Sequence, residues 1–451
     1  METLFFPKKQ AVTILREASE STILAQRFEG KCSIDAISTL MKREDMPYSS
    51  VGYISEYLSC VGQCLPNTLE NKQDSIQFVV FAGDEIFAQS IPLLITVEPV
   101  SSVILRIELA DQRTAVIWSA HFQAIQANGF EARSLTSDAG SGLCAAHKAV
   151  LSDIPWQLDT FHGIAHRLGD YVRRLEKSAY TAIEAVDDRE TKLASAKSER
   201  VIDKRLLLCL HADKAVKQAM DLYDDFSYLY TTLIHQLNVF DSKGNLRQQA
   251  QVEGNMMAAL ELMQSLNHSG IVKTATLIKK ALPDLLTYFN DALVAVKNCQ
   301  KLTNNKDALK ALYLAWQWNK SVIKSKVTSR KNRAIEQRQF YLELAELLVE
   351  DKEKHLILKE KVMAELDSII QASSMVECIN SILRPYLNTS KNQVTQAFLN
   401  TFMFYHNHRR YHAGKRKGKT PMEILTGNKQ EEDWITLLLK EVNKNEFALA
   451  V

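Results

Sequence analysis

The chain has 451 residues, of which 46% are hydrophobic and 24% are charged, and its net charge is +2. This length predicts two or three domains with a sizeable core, and the composition is typical of globular proteins. The near-zero net charge does not by itself indicate a nucleic-acid-binding protein. Any such surface must be a local cluster of basic residues.

The termini and the cysteines give little sign of secretion or of a membrane. The N-terminal segment METLFFPKKQ lacks a long apolar core and a cleavage signal, and no later run is long and apolar enough to span a bilayer. We therefore predict a cytoplasmic protein with no membrane association. The seven cysteines are scattered, and the close pair Cys60 and Cys64 has no partners that would complete a zinc site. Free, buried thiols are expected.

Residues 1–75 are predicted to form a helical DNA-binding domain. Apolar residues recur at helical spacing over Ser33–Glu44 and again in a second segment behind a serine N-cap. Two short helices joined by a tight turn are typical of helix-turn-helix proteins, in which the second helix would present Tyr53, Ser55 and Glu56 to the major groove. An ordinary helical hairpin is the alternative, because this second helix has no Arg or Lys.

The next segment is predicted to begin a mixed sheet. Ile76–Asp84, IQFVVFAGD, is typical of a strand that is buried on both faces and ends in a carboxylate. Ile91–Glu98 and Val103–Leu109 follow as strands whose connection is so short that only a hairpin fits. A carboxylate at a strand end has the rigid support that a metal ligand needs, whereas the alternative is that Asp84 caps a turn.

The order of the later elements resembles that of the ribonuclease H-like fold. After the three antiparallel strands we expect a helix, a strand ending at Asp138, a helix, a short strand and a long helix. The resemblance implies an α/β protein whose first and fourth strands are neighbours, so that Asp84 and Asp138 lie side by side although 138 − 84 = 54 positions separate them. Adjacent carboxylates repel unless a cation lies between them, and their oxygens suit Mg²⁺ or Mn²⁺.

A third carboxylate is predicted in a helix near residue 377. Asn380 and Arg384 follow Glu377 by three and seven residues, on the same helical face, and could face a metal ion and a phosphate. Ser374 and Glu377 also fit a capping box, so the alternative is that Glu377 only caps the helix. Glu365 is the other candidate, but it lacks this polar setting.

These three acids resemble the catalytic core of DDE-type transposases and retroviral-type integrases. Asp159 and His162 resemble the Cys/Asp-x-x-His motif of transposases with a large helical insertion, such as the hAT and Mutator groups, although Asp159 alternatively caps a helix. The segment Ser373–Asn380 resembles the S-x-x-x-E-x-x-N helix that supplies the third acid in these enzymes.

The resemblance covers about residues 76–425, apart from the helical insertion, where only its type and placement match, and it implies a bacterial insertion-sequence transposase. It implies that two Mg²⁺ or Mn²⁺ ions are bound by Asp84, Asp138 and Glu377. It implies that the site is supported by Asp159, His162, Asn380 and Arg384.

Residues 176–372 are predicted to form an all-helical insertion, because this stretch contains only three glycines and one proline. A helical block at this place is also what the resemblance predicts, since 377 − 138 = 239 residues separate the second and third acids. Trp316 and Trp318 could stack on a flipped base, and core packing is the alternative.

Two basic clusters, within Lys320–Arg338 and within His406–Lys419, are suited to DNA phosphates. The alternative for the first is a solvated helix face, whereas the second resembles the stretch that closes many bacterial transposase cores. The predicted DNA contacts are Lys326, Arg330, Lys331, Arg333, Arg409, Arg410, Lys415, Arg416 and Lys417.

The predicted organisation is therefore a helical domain over 1–75, a ribonuclease H-like core over 76–175 and 373–425, a helical insertion over 176–372 and a helical tail over 426–451. The predicted function is the cleavage of transposon ends and their joining to target DNA by two-metal-ion in-line phosphoryl transfer. The expected partners are double-stranded DNA and further copies of the chain, with no nucleotide cofactor and a location at the nucleoid. The alternatives are a ribonuclease H-like nuclease without strand transfer and a non-catalytic DNA-binding regulator.

Overall fold

The computed structural model describes residues 8–391 and 393–449, and the side chains of 16–391 and 393–444. Gln157–Ala372 forms one compact unit, and the chain before and after it forms a second one. We call them the helical unit and the sheet unit. The helical unit ends where the predicted insertion ends but begins earlier, and the boundaries of the five predicted segments stay predictions.

The strands form one five-stranded mixed sheet, in the order β3-β2-β1-β4-β5. β1 runs antiparallel to β2 and parallel to β4, and β2 runs antiparallel to β3. A mixed α/β architecture with this combination of antiparallel and parallel strands is thus confirmed. The strands are β1 (Gln77–Ala88), β2 (Ile91–Glu98), β3 (Val103–Leu109), β4 (Phe130–Ser137) and β5 (Trp156–Leu158).

Seventeen α-helices are described in residues 8–391 and 393–449, and a π-helical turn at Phe161–His166 precedes the sixth. The first five are α1 (Lys8–Phe28), α2 (Ile34–Arg43), α3 (Val51–Gln63), α4 (Ala115–Ala127) and α5 (Ser141–Val150). The helical unit contains α6 (Arg167–Ala194), α7 (Glu199–Gln236), α8 (Gln249–Ser265), α9 (Ser269–Leu285), α10 (Tyr288–Leu302), α11 (Lys306–Lys324), α12 (Thr328–Val349) and α13 (Lys352–Asp367). The last four are α14 (Ser374–Thr389), α15 (Gln396–His408), α16 (Pro421–Thr426) and α17 (Trp434–Leu449).

The first strand differs from its prediction in two ways. It continues past Asp84 to Ala88 because a tight hairpin, with Gln89 at a left-handed φ of 58°, turns it directly into β2. It is also not buried on both faces throughout, since the side chain of Phe78 is 68% exposed. The buried part begins at Val80, where the sheet is covered on both sides.

Each face of the sheet packs against its own set of helices, because successive strand residues point to opposite faces. Phe81 and Leu94 lie on one face, against Trp118 and Phe122 of α4. Ile86 belongs to the other face, which packs in one apolar cluster with residues of α1, α3, α14, α15 and α17. Each fully buried Leu, Ile or Phe contributes about 1.5–3 kcal/mol.

The outer edge of β3, which has no neighbouring strand, is covered by side-chain amides of α15. Asn407 accepts a hydrogen bond from the backbone N–H of Ile104 at 2.8 Å and donates one to its carbonyl at 3.0 Å. Gln396 accepts from the N–H of Leu109 at 2.8 Å and donates to the carbonyl of Ile107 at 3.0 Å. These amides replace a neighbouring strand, so the edge offers fewer groups for unwanted pairing with another chain.

The helical unit is built from antiparallel helix pairs, of which α6 with α7, α8 with α9 and α11 with α12 pack most extensively. Its core includes Phe226, Leu260 and Leu312, each fully buried. In the described part of the chain, no helix is both long enough and apolar enough to cross a membrane.

Candidate active site

Two of the three predicted acids lie at the same level of neighbouring parallel strands. The β1–β4 ladder pairs Phe81 with Leu135 and Ala82 with Thr136, a constant offset of 54 residues. Asp84 and Asp138 have this same offset, 138 − 84 = 54, and each lies two residues beyond the last pair of the ladder. The parallel pairing of β1 with β4 therefore ends just before two carboxylates, one on each side.

The third acid comes from α14, which packs against β1 and β2 on the face of the sheet that bears Asp84. Ala82 and Ile86, which flank Asp84 at two-residue spacing, share one apolar cluster with Val376 and Ile379 of α14. One turn beyond Glu377, the side-chain amide of Asn380 donates a hydrogen bond to Oδ2 of Asp84 at 3.0 Å. The polar stripe of α14 thus meets the strand that bears the first acid.

Both aspartates are held by backbone donors. Oδ1 of Asp84 accepts a hydrogen bond from the N–H of Glu85 at 2.9 Å, and Oδ1 of Asp138 accepts one from the N–H of Gly140 at 2.8 Å. Glu85 is itself paired with Arg113, whose Nη1 lies 2.6 Å from Oε1. The sequence did not indicate this pair, because Arg113 lies in a polar loop before α4.

The electrostatics of the site show that the acids act on one another. The pKa of Asp84 is raised to about 7, first by burial and then by the negative charges of Asp138, Glu85 and Glu377, while the hydrogen bond from the Glu85 backbone lowers it. Within the described residues, the carboxylates of Asp84, Asp138 and Glu377 do not all come within 4.8 Å of one another. Carboxylates repel one another, so a separation of this kind is expected when no cation lies between them.

The capping-box alternative for Glu377 is wrong. Helix α14 begins at Ser374, and its N-cap is Ser373, whose side chain does not cap the first turn. Ser374 therefore lies inside the first turn, where it cannot cap the helix.

The donor set of the site fits a divalent cation. Three carboxylates, all partly buried, supply the hard oxygen ligands that Mg²⁺ and Mn²⁺ prefer. In addition, Oδ1 of Asn380 is a buried acceptor without a hydrogen-bond partner among the described residues. Buried polar atoms without a partner are uncommon, and this one is suited to a ligand or to a water molecule held by a ligand.

The helix-capping alternative for Asp159 holds. Its Oδ1 accepts hydrogen bonds from the N–H groups of Phe161 and His162 at 2.7 and 2.9 Å, at the start of the π-helical turn. Glu365 accepts a hydrogen bond from Asn298 at 3.1 Å within the helical unit. Arg384 is exposed on α14. Supporting roles for Asp159, His162 and Arg384 stay predictions.

The C-terminal basic segment is partly occupied by internal contacts. Arg410 forms an ion pair with Glu423 at 3.0 Å, and Arg416 donates to the carbonyls of Pro99 and Val100 at 3.1 and 2.7 Å. The guanidinium of Arg409 lies over the rings of two tyrosines. The residues Thr420–Glu423, which resembled a transposase motif, form a capping box with Pro421 at the start of α16.

The remaining predicted DNA contacts have exposed side chains, namely Lys326, Arg330, Lys331, Arg333, Lys415 and Lys417. Of the two tryptophans, Trp316 is buried: its indole N–H donates to Asp367 at 3.1 Å, and Nζ of Lys320 lies 3.8 Å from its ring centroid. Trp316 thus has the core-packing role in this structure, and base stacking stays a prediction for the half-buried Trp318.

The two predicted N-terminal helices are present, with Ser33 and Ser50 as hydrogen-bonded N-caps. Of the three residues predicted to face DNA, Ser55 and Glu56 are exposed, whereas the Tyr53 hydroxyl donates to Glu20 of α1 at 3.0 Å. Major-groove binding by α3 stays a prediction.

A second polar cluster, on the opposite face of the sheet, was not predicted. Nδ1 of His121 donates to Glu108 at 3.1 Å, and Nε2 accepts from the hydroxyl of Thr96 at 3.0 Å, since a carboxylate can only accept. The arrangement resembles a nucleophile–histidine–carboxylate triad, but Thr96 and His121 are fully buried. No substrate can reach this hydroxyl, so the cluster is structural.

No protein-family model matches this sequence, and a search of curated proteins finds no significant match.

Proposed function

We propose that this chain is a DDE-type DNA transposase of the bacterial insertion-sequence kind, with a ribonuclease H-like core. One observation carries the proposal. Asp84 and Asp138 occupy equivalent levels of two neighbouring parallel strands, and the helix that bears Glu377 donates a hydrogen bond to Asp84 through Asn380. Three separate parts of the chain thus contribute polar groups to one end of the sheet, where ligands of α/β proteins usually bind.

In this proposal Asp84, Asp138 and Glu377 hold two Mg²⁺ or Mn²⁺ ions. When bound, such ions activate an attacking water or DNA 3′-hydroxyl and stabilise the leaving oxygen of an in-line displacement at phosphorus. The donor set supports this assignment, because the mutual repulsion of the three carboxylates is relieved by positive charge.

The protein's own residues position these ligands. Asn380 and the N–H of Glu85 fix the two oxygens of Asp84, and the N–H of Gly140 fixes one oxygen of Asp138. Arg113 holds Glu85, so that this fourth acid is paired with a cation rather than left to repel Asp84. Such orientation lowers the cost of assembling the reaction geometry.

The proposed substrates are transposon ends and target DNA, bound by a homo-oligomer in the cytoplasm at the nucleoid. Support comes from the exposed basic side chains on α12 and on the loop that follows α15. Phosphate contacts of this kind give affinity without sequence preference, and the helices α2 and α3 are the proposed source of end recognition.

The test is incubation of purified protein with DNA that carries the terminal sequences flanking its gene, with Mg²⁺, followed by separation of cleaved and joined products on a gel. Asp84→Asn, Asp138→Asn and Glu377→Gln should each abolish both products, because each removes a charged ligand. DNA binding, measured by gel shift, should remain close to that of the parent chain.

Glu365→Gln and Asp153→Asn are the matched controls, since the first lies in the helical unit and the second is exposed after α5. Both should cleave and join like the parent. Cleavage by Glu377→Gln at the parental rate would show that the third acid is misassigned. Cleavage without joined product would favour the nuclease, and binding without cleavage would favour the regulator.

A further inference from the structure

Arg27, in the last turn of α1, is a buried cation that lacks a full counter-charge. Only 5% of the residue is exposed. Among the described residues no Asp or Glu forms an ion pair with it. The pKa of Arg27 is lowered by burial, and this shift is opposed by a tyrosine and a cysteine rather than by a carboxylate. Buried charges are normally paired, because an unpaired one is costly, so Arg27 retains the capacity to bind an anion.

The guanidinium of Arg27 is held in place by neutral groups. Nη1 donates to the carbonyl of Cys32 at 2.8 Å, Nη2 donates to the hydroxyl of Ser390 at 2.8 Å, and the group lies 4.9 Å from the ring centroid of Phe398. With a longer bond from Nη1 to Thr389, at 3.4 Å, described residues use three of its five N–H donors. The carbonyl ends of α1 and α14 add only partial negative charges. The group is thus oriented in advance and keeps donors for a ligand.

Arg27 lines an open cavity of about 560 Å³, which we call the Arg27 pocket. Its wall is formed by α1, α2, α3 and the segment that joins α14 to α15. A second cation, Lys391, lies on this wall, and the exposed Asp35 is the one acid among the described residues there. The wall is also rich in hydroxyl side chains, which include Ser33, Ser55, Ser59, Ser390 and Thr395.

Two helices begin at the Arg27 pocket. Ser33 is the N-cap of α2, Thr395 is the N-cap of α15, and both residues line the wall. The N-terminal end of a helix carries a partial positive charge and backbone N–H groups that favour anions. These ends supplement the full charges of Arg27 and Lys391. The pocket is therefore positive on several sides and suited to an anionic group.

We propose that the Arg27 pocket binds a phosphate group. Arg27 supplies an oriented guanidinium, Lys391 supplies a second positive charge, and the hydroxyl side chains supply further donors. A phosphate group fits this donor set better than a carboxylate does, because it has more acceptor oxygens and a charge of about −1.5 to −2. The pocket is larger than one phosphate ion, so the group belongs either to a DNA backbone or to a free phosphate compound.

The first test titrates the full chain with inorganic pyrophosphate and measures binding by isothermal titration calorimetry at constant ionic strength. DNA and divalent metal are left out, so the carboxylates of the candidate active site repel the probe. The parent should bind one pyrophosphate per chain. Because neither metal nor DNA is present, this result does not depend on the proposed enzymatic function.

Arg27→Gln should weaken pyrophosphate binding about tenfold or more, because charge-assisted hydrogen bonds are lost. Lys391→Gln should weaken it by a smaller factor, since Lys391 is exposed and its charge is screened. Asp35→Asn should strengthen it, because a negative charge leaves the wall. Lys42→Gln, exposed at the end of α2 and outside the pocket, is the matched control and should bind like the parent. Circular dichroism shows whether each variant folds, and the opposite effects at Lys391 and Asp35 carry the test if Arg27→Gln does not.

Fluorescence anisotropy with a DNA duplex of unrelated sequence distinguishes the two sources of phosphate. A DNA phosphate is indicated if Arg27→Gln and Lys391→Gln also weaken duplex binding and if pyrophosphate competes with the duplex. A free phosphate compound is indicated if these variants lose pyrophosphate affinity but bind the duplex like the parent. The proposal is overturned if the folded variants at Arg27, Lys391 and Asp35 match the Lys42→Gln control with both probes.

Discussion

The two faces of the sheet each carry a cluster of ionisable groups, and the clusters differ in how their polar atoms are satisfied. Thr96, His121 and Glu108 lie on the α4 side, where the imidazole has a partner on each nitrogen and no access to solvent. Asp84 lies on the α14 side beside other carboxylates, where the amide oxygen of Asn380 has no hydrogen-bond partner among the residues that the structure describes.

Both clusters have shifted pKa values, so the shift alone does not identify a reactive site. The pKa of His121 is lowered to about 4 by burial, while the hydrogen bond to Glu108 raises it. The pKa of Asp84 is raised by burial and by like charges. What separates the two is that Glu108 of the first cluster is paired with Arg106 at 3.0 Å beside a fully buried histidine, whereas the second cluster has excess negative charge and polar capacity left for a ligand.

The largest difference between the two clusters is expected in how the stability of the protein depends on pH, and Asp84 should cause it. Its folded pKa of about 7 lies above the ordinary value of 3.8, so between pH 4 and 7 the folded state holds a proton that the unfolded state has lost. Stability should therefore fall as pH rises through this window. Since one unit of pKa difference corresponds to about 1.4 kcal/mol, the loss is on the order of 4 kcal/mol.

The measurement is urea unfolding of the parent and of Asp84→Asn at pH 5 and pH 8. The variant should lack this decline and should be more stable than the parent at pH 8, although it is expected to be inactive. Asp153→Asn serves as the control and should follow the parent at both values. Equal pH profiles for the parent and Asp84→Asn would mean that the pKa of Asp84 is not raised in the folded protein in solution.

The buried histidine should respond to pH in the opposite sense. Because the folded pKa of His121 is about 4 and the ordinary value is 6.5, the unfolded state binds a proton between these values and the folded state does not. Stability should thus fall as pH is lowered from 6.5 to 4, by about 3 kcal/mol. His121→Gln, which can still bond to Thr96 and Glu108, should lose less stability over this range.

Thermal unfolding at pH 7, 5.5 and 4.5 measures this difference. His147→Gln is a useful comparison, since His147 is also buried but its Nε2 bonds to a backbone carbonyl, that of Ile154, at 2.8 Å. If His121→Gln loses as much stability on acidification as the parent does, another group controls the acid limb.

Much of the sheet could be predicted because its signals are local. The β-branched runs at Ile91–Glu98 and Val103–Leu109 match β2 and β3 residue for residue, and their short connection fixed the antiparallel pairing. The extension of β1 to Ala88 was missed because its turn, Gln89-Ser90, contains no Gly, Asn or Asp to indicate a hairpin. Helix α1 was not predicted, although Ile23, Leu24 and Phe28 recur at helical spacing.

Contacts between distant segments were beyond prediction. Thr96, Glu108 and His121 come from three elements, and no local pattern indicates that they meet. Asn380 was placed beside Glu377 by helical spacing, but its bond to Asp84 depends on how α14 packs on the sheet. In the basic segment, the charges indicated which residues could bind DNA. The sequence did not indicate that Arg410 pairs with Glu423, or that Arg416 donates to the carbonyls of Pro99 and Val100.

The basic segment allows a similar comparison, between an arginine that is paired within the fold and lysines that are exposed, and the expected effect there is smallest. Arg410 bonds to Glu423 and to the carbonyl of Gly418 at 2.9 Å, whereas Lys415, Lys417 and Lys419 are exposed. Changing the three lysines to Gln should weaken DNA binding and reduce the slope of log affinity against log salt by about 0.9 for each phosphate that is no longer neutralised. Arg410→Gln should instead lower the melting temperature and leave the salt slope nearly unchanged, because its charge is already paired within the fold.

Fluorescence anisotropy at several salt concentrations measures the slope. An unchanged slope in the lysine variant would show that this loop is a solvated surface. A large change in Arg410→Gln at a temperature where it remains folded would show that ion pairing with Glu423 does not withdraw that charge from DNA.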